Sequence, residues 1–231
     1  MFYPCTAVGA YHLSNGGENQ DAICTITDKK YSAAALADGV STCPSAKQGA
    51  VIASEAAAKL FTEKGDYFFV YSPENIARFT VEHVLYKLQT AARAAGAAPE
   101  DYSSTLMCVS YDRAARRLLC FNLGDGLILG LTDERIRVLS QPFNSSLGGC
   151  CVTTTVNAAA AVSAAVYTED LPDTVLLLTD GAWQQLYSGS YLKPEIRTLL
   201  AARDFAALGD YLAASGSTDD CSFIAMTAHK K

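Results

Sequence analysis

The sequence predicts an α+β sandwich: antiparallel sheets with helices on their outer faces. Three observations predict it. The elements run in the order strands, two long helices, many strands, short helices and a last strand, with none of the β-α-β alternation of a parallel sheet. Half of the 231 residues are hydrophobic and 18% are charged, which gives enough apolar material for a sizeable core and too little charge for disorder. No internal repeat, low-complexity linker or compositional break divides the chain, so residues 1–231 read as one domain.

Residues 22–28 and 31–37 read as a hairpin turning at Asp28-Lys29-Lys30. A helix follows from 44 to 63. Its Ala46, Ala50, Ala53, Ala57, Leu60 and Phe61 recur at helical spacing, Glu55 and Lys59 form an i,i+4 pair, and Gly65 is its predicted stop. The next helix opens with Ser72 as N-cap and Pro73 at the first helical position. It buries a stripe of Ala77, Val81, Val84, Leu85, Leu88, Ala92 and Ala95, and Gly96 ends it. Strands are predicted over 104–111 and 117–123 around the polar turn 112–116. Two more follow over 127–131, after Gly124-Asp125-Gly126, and over 135–139, after Thr132-Asp133-Glu134. Residues 140–151, rich in Ser, Gly and Asn, read as a loop. Strands resume over 152–156 and 162–167, and the apolar run 174–179 reads as a fully buried strand. Two or three helices cover 181–214, with Pro194 opening one, and a last strand spans 221–227.

The composition also excludes functions. A net charge of -6 argues against a nucleic-acid partner held on a basic face. No apolar run approaches the ~18 residues of a membrane span, so no membrane partner is expected. The N-terminus MFYPCTAVGAYH lacks the basic-then-apolar pattern of a signal peptide. The cysteines form no CxxC pair, and with three histidines no zinc-type spacing arises. Cysteines 24, 108, 120, 151 and 221 lie in or beside apolar runs, as small core hydrophobes do. They are expected to be reduced thiols in a cytoplasmic protein.

Function is written in the acidic residues. Short acidic steps are tied to strand-like apolar runs: ENQDAICTI (Asp21), AAALADGVS (Asp38), FNLGDGLIL (Asp125), LLLTDGAW (Asp180) and TDDCSFIAM (Asp219, Asp220). A carboxylate at the end of a buried strand is costly unless its desolvation is offset. Several of them in one chain point to a shared bound cation. Hard divalent ions such as Mg²⁺ and Mn²⁺ take oxygen ligands, and a few carboxylates can hold two of them. Glycine after aspartate lets the backbone turn sharply toward the ion. Asp-Gly is also a common turn dipeptide, and it is the set of steps that carries the metal reading. Asp112, Asp133 and Asp173 read as plain turn or cap residues.

The ordered series Asn19-Gln20-Asp21, Ala37-Asp38-Gly39, Ser104-Thr105-Leu106, Gly124-Asp125-Gly126, Thr179-Asp180-Gly181 and Asp219-Asp220 resembles the metal-dependent protein phosphatases of type 2C, the serine/threonine family, and most closely their bacterial branch. The resemblance covers residues 15–227. It implies a four-layer α-β-β-α fold of two packed antiparallel sheets, with the site at one edge. It implies Asp21, Asp38, Asp180 and Asp219 as the catalytic set, with two Mg²⁺ or Mn²⁺ ions. Asp38 would bridge the ions, Gly39 would lend a backbone oxygen, Asp180 and Asp219 would bind the second ion, and Asp21 would hold a coordinated water. Asp125 would sit by a third, weaker position, and Ser104-Thr105 would lie beneath the site. The implied substrate is a phosphorylated protein, and a cognate Ser/Thr kinase is a further implied partner.

Three departures qualify the resemblance. The family's phosphate-binding Arg, five positions before the first aspartate, is Gly16; the acidic residue before that aspartate is Gln20; and the glycines after the second-motif Asp-Gly are Val40-Ser41. Lys47 is a candidate phosphate ligand in place of the Arg, against the commoner reading of such a residue as a solvated helix lysine. Two further readings stand beside the enzyme: a catalytically weak or inactive phosphatase-like module that binds a partner or phosphopeptide, and a small-molecule phosphohydrolase.

Overall fold

Alternate residues along the central strands face two different cores, which is how a period of two builds a sandwich. The computed structural model describes residues 1–133, 135–143 and 150–228. One five-stranded sheet has the order β1 (Phe2–Ala7), β12 (Cys221–Thr227), β9 (Thr174–Leu178), β6 (Leu127–Leu131), β7 (Ile136–Ser140). The other has the order β2 (Ala22–Thr27), β3 (Tyr31–Ala37), β4 (Leu106–Asp112), β5 (Arg117–Leu123), β8 (Ser163–Tyr167). The pairings in both are antiparallel.

Between the sheets, Leu36, Met107, Val109 and Leu118 meet Ile128, Leu177, Ile224 and Met226. On the outer face of the second sheet, Ala33, Ala35, Leu119 and Phe121 pack beneath α2 (Ala46–Glu63) and α4 (Pro73–Ala95). On the outer face of the first, Leu129, Leu176, Leu178 and Phe223 pack beneath α5 (Asp180–Leu186), α6 (Pro194–Ala202) and α7 (Phe205–Ala213). The result is the predicted stack of helices, two sheets and helices.

The register brings the acidic steps to one end. Ala22 pairs with Ala37, so Asp21 before β2 and Asp38 after β3 flank the same rung. Leu178 pairs with both Phe223 and Leu127, so Asp180, Asp219 and Asp125 flank the matching rungs of the other sheet. The alanine-rich β3 lets α2 lie close to its sheet. At the start of α2, a Cβ on Gly49 would fall 2.0 Å from the Tyr102 carbonyl oxygen.

Most predicted elements stand within two residues of their expected ends. Ser72 Oγ accepts from Asn75 N–H at 3.4 Å and Gly96 takes φ +67° as the C-cap of α4. The buried stripe of α4 includes Ile76 and Thr80, and Ala95 is exposed.

Four readings differ. The strand expected over 152–156 is a turn followed by a 3-10 segment, Ala158–Ala161. There Val152 N–H donates to Thr155 Oγ1 at 3.0 Å, a side-chain bond that competes with strand pairing. α2 does stop at Glu63, just before Gly65, but Gly65 also opens a further helix, α3 (Gly65–Phe68), and glycine is needed there because the Tyr31 ring lies 2.5 Å from where its Cβ would be. The sequence reading had no counterpart for β1 or for α1 (Ala10–Ser14): Pro4 breaks the strand pattern but is tolerated on an edge strand. A small hairpin, β10 (Tyr187–Ser188) and β11 (Tyr191–Leu192), interrupts the helices of 181–214. Of the loop expected over 140–151, residues 144–149 lie outside the described residues, and Ser140 closes β7. Asp112 keeps its turn role: fully buried, it accepts from the N–H groups of Ala114 and Ala115 and from Arg117 at 2.8 Å.

The contact at Gly49 gives a direct test of the packing. Gly49→Ala should destabilise the fold by about 1–3 kcal/mol through overpacking, lowering Tm by roughly 2–4 °C per kcal/mol in a chain of this size. A thermal melt matching the parent would contradict the close approach of α2.

Candidate metal centre

Each acidic side chain is fixed by its local backbone. Asp38 follows β3; its N–H donates to Thr105 Oγ1 at 3.0 Å, and its carbonyl accepts from Thr105 N–H at 2.8 Å. Gly39 forms an isolated bridge to Ser104 and lies so close to α2 that a Cβ would meet the Ala46 carbonyl oxygen at 2.7 Å. Ser104 and Thr105 therefore anchor the Asp38-Gly39 step from beneath. Asp180 opens α5, and its Oδ1 accepts from Gly181 N–H at 2.7 Å. Asp219 Oδ1 accepts from Asp220 N–H at 2.9 Å. The Asp125 carbonyl accepts from Trp183 Nε1 at 2.8 Å, and Gly124 takes φ +118° in that turn, which favours glycine.

Asp21 is the most enclosed of the set, at 1% exposure. Thr179 Oγ1 donates to its Oδ2 at 3.3 Å, and its Oδ1 is buried with no partner. Lys47 Nζ donates to the Asp21 carbonyl oxygen at 2.7 Å. Both residues line a cavity of about 610 Å³ between the edge strands β1 and β2. One ammonium proton of Lys47 is thus committed to the backbone that carries Asp21.

Asp21, Asp180 and Asp219 all lie close enough to Asp38 for their charges to bear on its carboxyl. Carboxyls crowded in this way favour holding a proton or a cation among them. Burial, followed by the charges of Asp21, Asp180 and Asp219, pushes Asp38 well above the usual carboxylate range. Burial pushes Asp21 up to about 7, with Asp220 and Asp219 adding to it against the Ser222 hydroxyl and Asp38. Burial and Asp125 raise Asp180, and burial and Asp180 raise Asp219.

A hard divalent cation fits this set. The donors are all oxygen, one buried carboxylate oxygen is unpartnered, and the crowded carboxyls lack a positive charge among them. Among the described residues no three His, Cys, Asp or Glu side chains already close into a metal cage.

Gly16, in the place of the expected arginine, is the left-handed residue that follows α1, with φ +66° and open space around its Cβ position. An Arg there would have room but a strained backbone, at about 1 kcal/mol. Two residues close to the site had no role in the sequence reading. Asp220 is buried and bonded to the segment before β2, and His12 is its partner. The doublet Asp219-Asp220 was the signal for the first, and a lone histidine in a five-residue helix gave none for the second.

The family model for protein phosphatase 2C matches residues 8–213. The chain belongs to the protein phosphatase 2C family. No curated protein matches it by sequence. Solved structures share the fold at low identity. A bacterial serine phosphatase aligns at 14% identity and TM-score 0.70, over 100% of this chain and 98% of that one. Serine/threonine phosphatase Stp1 from Staphylococcus aureus aligns at 15% and 0.69, over 100% and 95%. RsbX, solved in complex with magnesium, aligns at 12% and 0.60, over 97% and 92%. The six motifs of this type 2C chain, five of them acidic, fall within the shared fold.

The carboxyl crowding fixes a pH dependence. The unfolded chain ionises its aspartates near 4, whereas the folded chain keeps protons up to about 7 at Asp21. Groups raised on folding add stability below the unfolded value and lose it as pH rises through the folded one. In EDTA, Tm should therefore fall between about pH 5 and 8. Millimolar Mn²⁺ should raise Tm by an amount that grows over the same window. Asp38→Asn should raise Tm in EDTA at the upper end and abolish the Mn²⁺ shift. A Tm in EDTA that is flat with pH would contradict the crowding.

Proposed function

We propose that this chain is a Mg²⁺- or Mn²⁺-dependent serine/threonine protein phosphatase, one domain over 1–231, that hydrolyses phosphomonoesters with Asp21, Asp38, Asp180 and Asp219 as its catalytic set. The observation that supports the reading is the convergence of Asp21, Asp180 and Asp219 on Asp38 in a partly buried, acid-crowded site. When bound, a pair of divalent ions polarises the phosphoryl group and makes water nucleophilic near neutral pH.

The chain's own residues do the rest. Asp38, Gly39, Asp180 and Asp219 would hold the pair, with Asp125 beside a third position. Asp21, enclosed and raised, is placed to accept a proton from the attacking water. Lys47 would hold the backbone of Asp21, and its remaining donors face the cavity that both residues line. The phosphorylated substrate would come from a cognate Ser/Thr kinase. The eight unpaired cysteines suit a reducing, cytoplasmic setting.

A second reading, a partner- or phosphopeptide-binding relic, is favoured by one observation: Gly16 offers no guanidinium for phosphate. Loss of an Arg–phosphate contact of ~1.5–3 kcal/mol predicts a KM about ten- to a hundredfold weaker.

Hydrolysis of p-nitrophenyl phosphate with Mn²⁺ and with EDTA separates the two readings. The enzyme reading predicts turnover that requires the ion, rises through neutral pH, survives iodoacetamide and is lost in Asp38→Asn. Absence of turnover in Mn²⁺ and in Mg²⁺, or turnover that survives EDTA and is stopped by iodoacetamide, would overturn it.

A further inference from the structure

We propose that Asp220, with His12, is the positioning device that fixes Asp21 against Asp219 and so sets the affinity of the site for divalent cations. The inference rests on the proposed metal-dependent reading. Between the end of β1 at Ala7 and the start of β2 at Ala22, the chain makes an excursion that belongs to neither sheet. Asp21 is its last residue, so no ladder of strand hydrogen bonds holds the approach to it.

The Asp220 carboxylate gathers that excursion at several points along it. Asp220 Oδ1 accepts from Gly9 N–H at 2.7 Å, and Oδ2 accepts from Gln20 N–H at 2.6 Å and from His12 Nδ1 at 3.0 Å. The two ends of the excursion and its middle meet on one side chain. His12 and Asp220 side chains are 8% and 2% exposed, so water competes little for these bonds.

The backbone beside Asp220 completes the attachment. Ala10 N–H donates to the Ser217 carbonyl at 2.9 Å and Tyr11 N–H to the Thr218 carbonyl at 3.0 Å. Gly9 lies so close that a Cβ would fall 2.4 Å from the Asp219 carbonyl carbon. Asp220 follows Asp219 directly, so what holds the excursion also holds the Asp219 loop. Two carboxylates that belong to separate sheets are thus tied through one residue. Groups that orient first-contact metal ligands typically govern metal affinity by 10–100-fold.

The test is Mn²⁺ titration calorimetry on three variants, with amide hydrogen exchange of residues 8–21 alongside. His12→Phe keeps ring volume and removes the donor. Asp220→Asn keeps shape but leaves one acceptor oxygen. His12→Gln can still donate. We expect His12→Phe and Asp220→Asn to weaken the Mn²⁺ Kd about tenfold or more and to speed exchange at Gly9 and Gln20, and His12→Gln to stay within about threefold of the parent. KM for p-nitrophenyl phosphate at saturating Mn²⁺ should not move. A purely structural role would lower Tm and leave the Mn²⁺ Kd unchanged, and that result in both variants would overturn the proposal. Should Asp220→Asn fail to fold, His12→Phe, which keeps both backbone donors on Asp220, decides alone. If the parent binds no Mn²⁺, the metal-dependent reading fails and this inference falls with it; if the parent binds and the variants match it, only this inference fails.

Discussion

The crowding of carboxyl groups at one edge of the sandwich is the constraint on which this structure turns. Asp38 lies within the field of Asp21, Asp180 and Asp219, with Asp21 buried, Asp38 and Asp180 half-buried and Asp219 exposed. Nothing in the local sequence favours that arrangement. It exists because two sheets deliver their strand ends to one place, and because the cores behind those ends are large enough to bear the cost. A bound divalent ion would turn the same arrangement from a burden into a ligand set, and release the protons that the carboxyls hold without it.

The surroundings are built to keep the carboxyls from moving apart. Thr105 brackets the Asp38 backbone on both its N–H and its carbonyl. Gly39 and Gly181 admit α2 and the Asp220 carbonyl at distances that no other residue allows. Asp220 gathers the excursion before β2 onto the loop before β12.

Much of this was legible in the sequence, for physical reasons. Asp38 after AAALA and Asp180 after the run 174–179 follow apolar strands directly, and a carboxylate in that place stands out against any turn. Period-two runs such as 104–111 and 117–123 place their strands correctly, because each faces one core on either side. What failed was local chemistry that competes with pattern. The β-branched run around Thr153 to Thr155 has strand propensity, but a threonine hydroxyl captures the backbone N–H that pairing would need. Pro4 hid an edge strand, where a missing N–H costs nothing. Lys47 read as a phosphate ligand or a solvated helix residue, yet its ammonium is bonded to the Asp21 carbonyl. Asp219 and Asp220 are indistinguishable as letters; only the fold shows one meeting the carboxyl cluster and the other the excursion before β2.

The central claim is that the clustered carboxyls are protonated without a cation and deprotonated with one. Isothermal titration of Mn²⁺ at about pH 7, in two buffers of different ionisation enthalpy, measures the protons released on binding. The account predicts release of at least one proton per chain, lost together with the binding heat in Asp38→Asn. Binding with no proton release, or no binding, would contradict it.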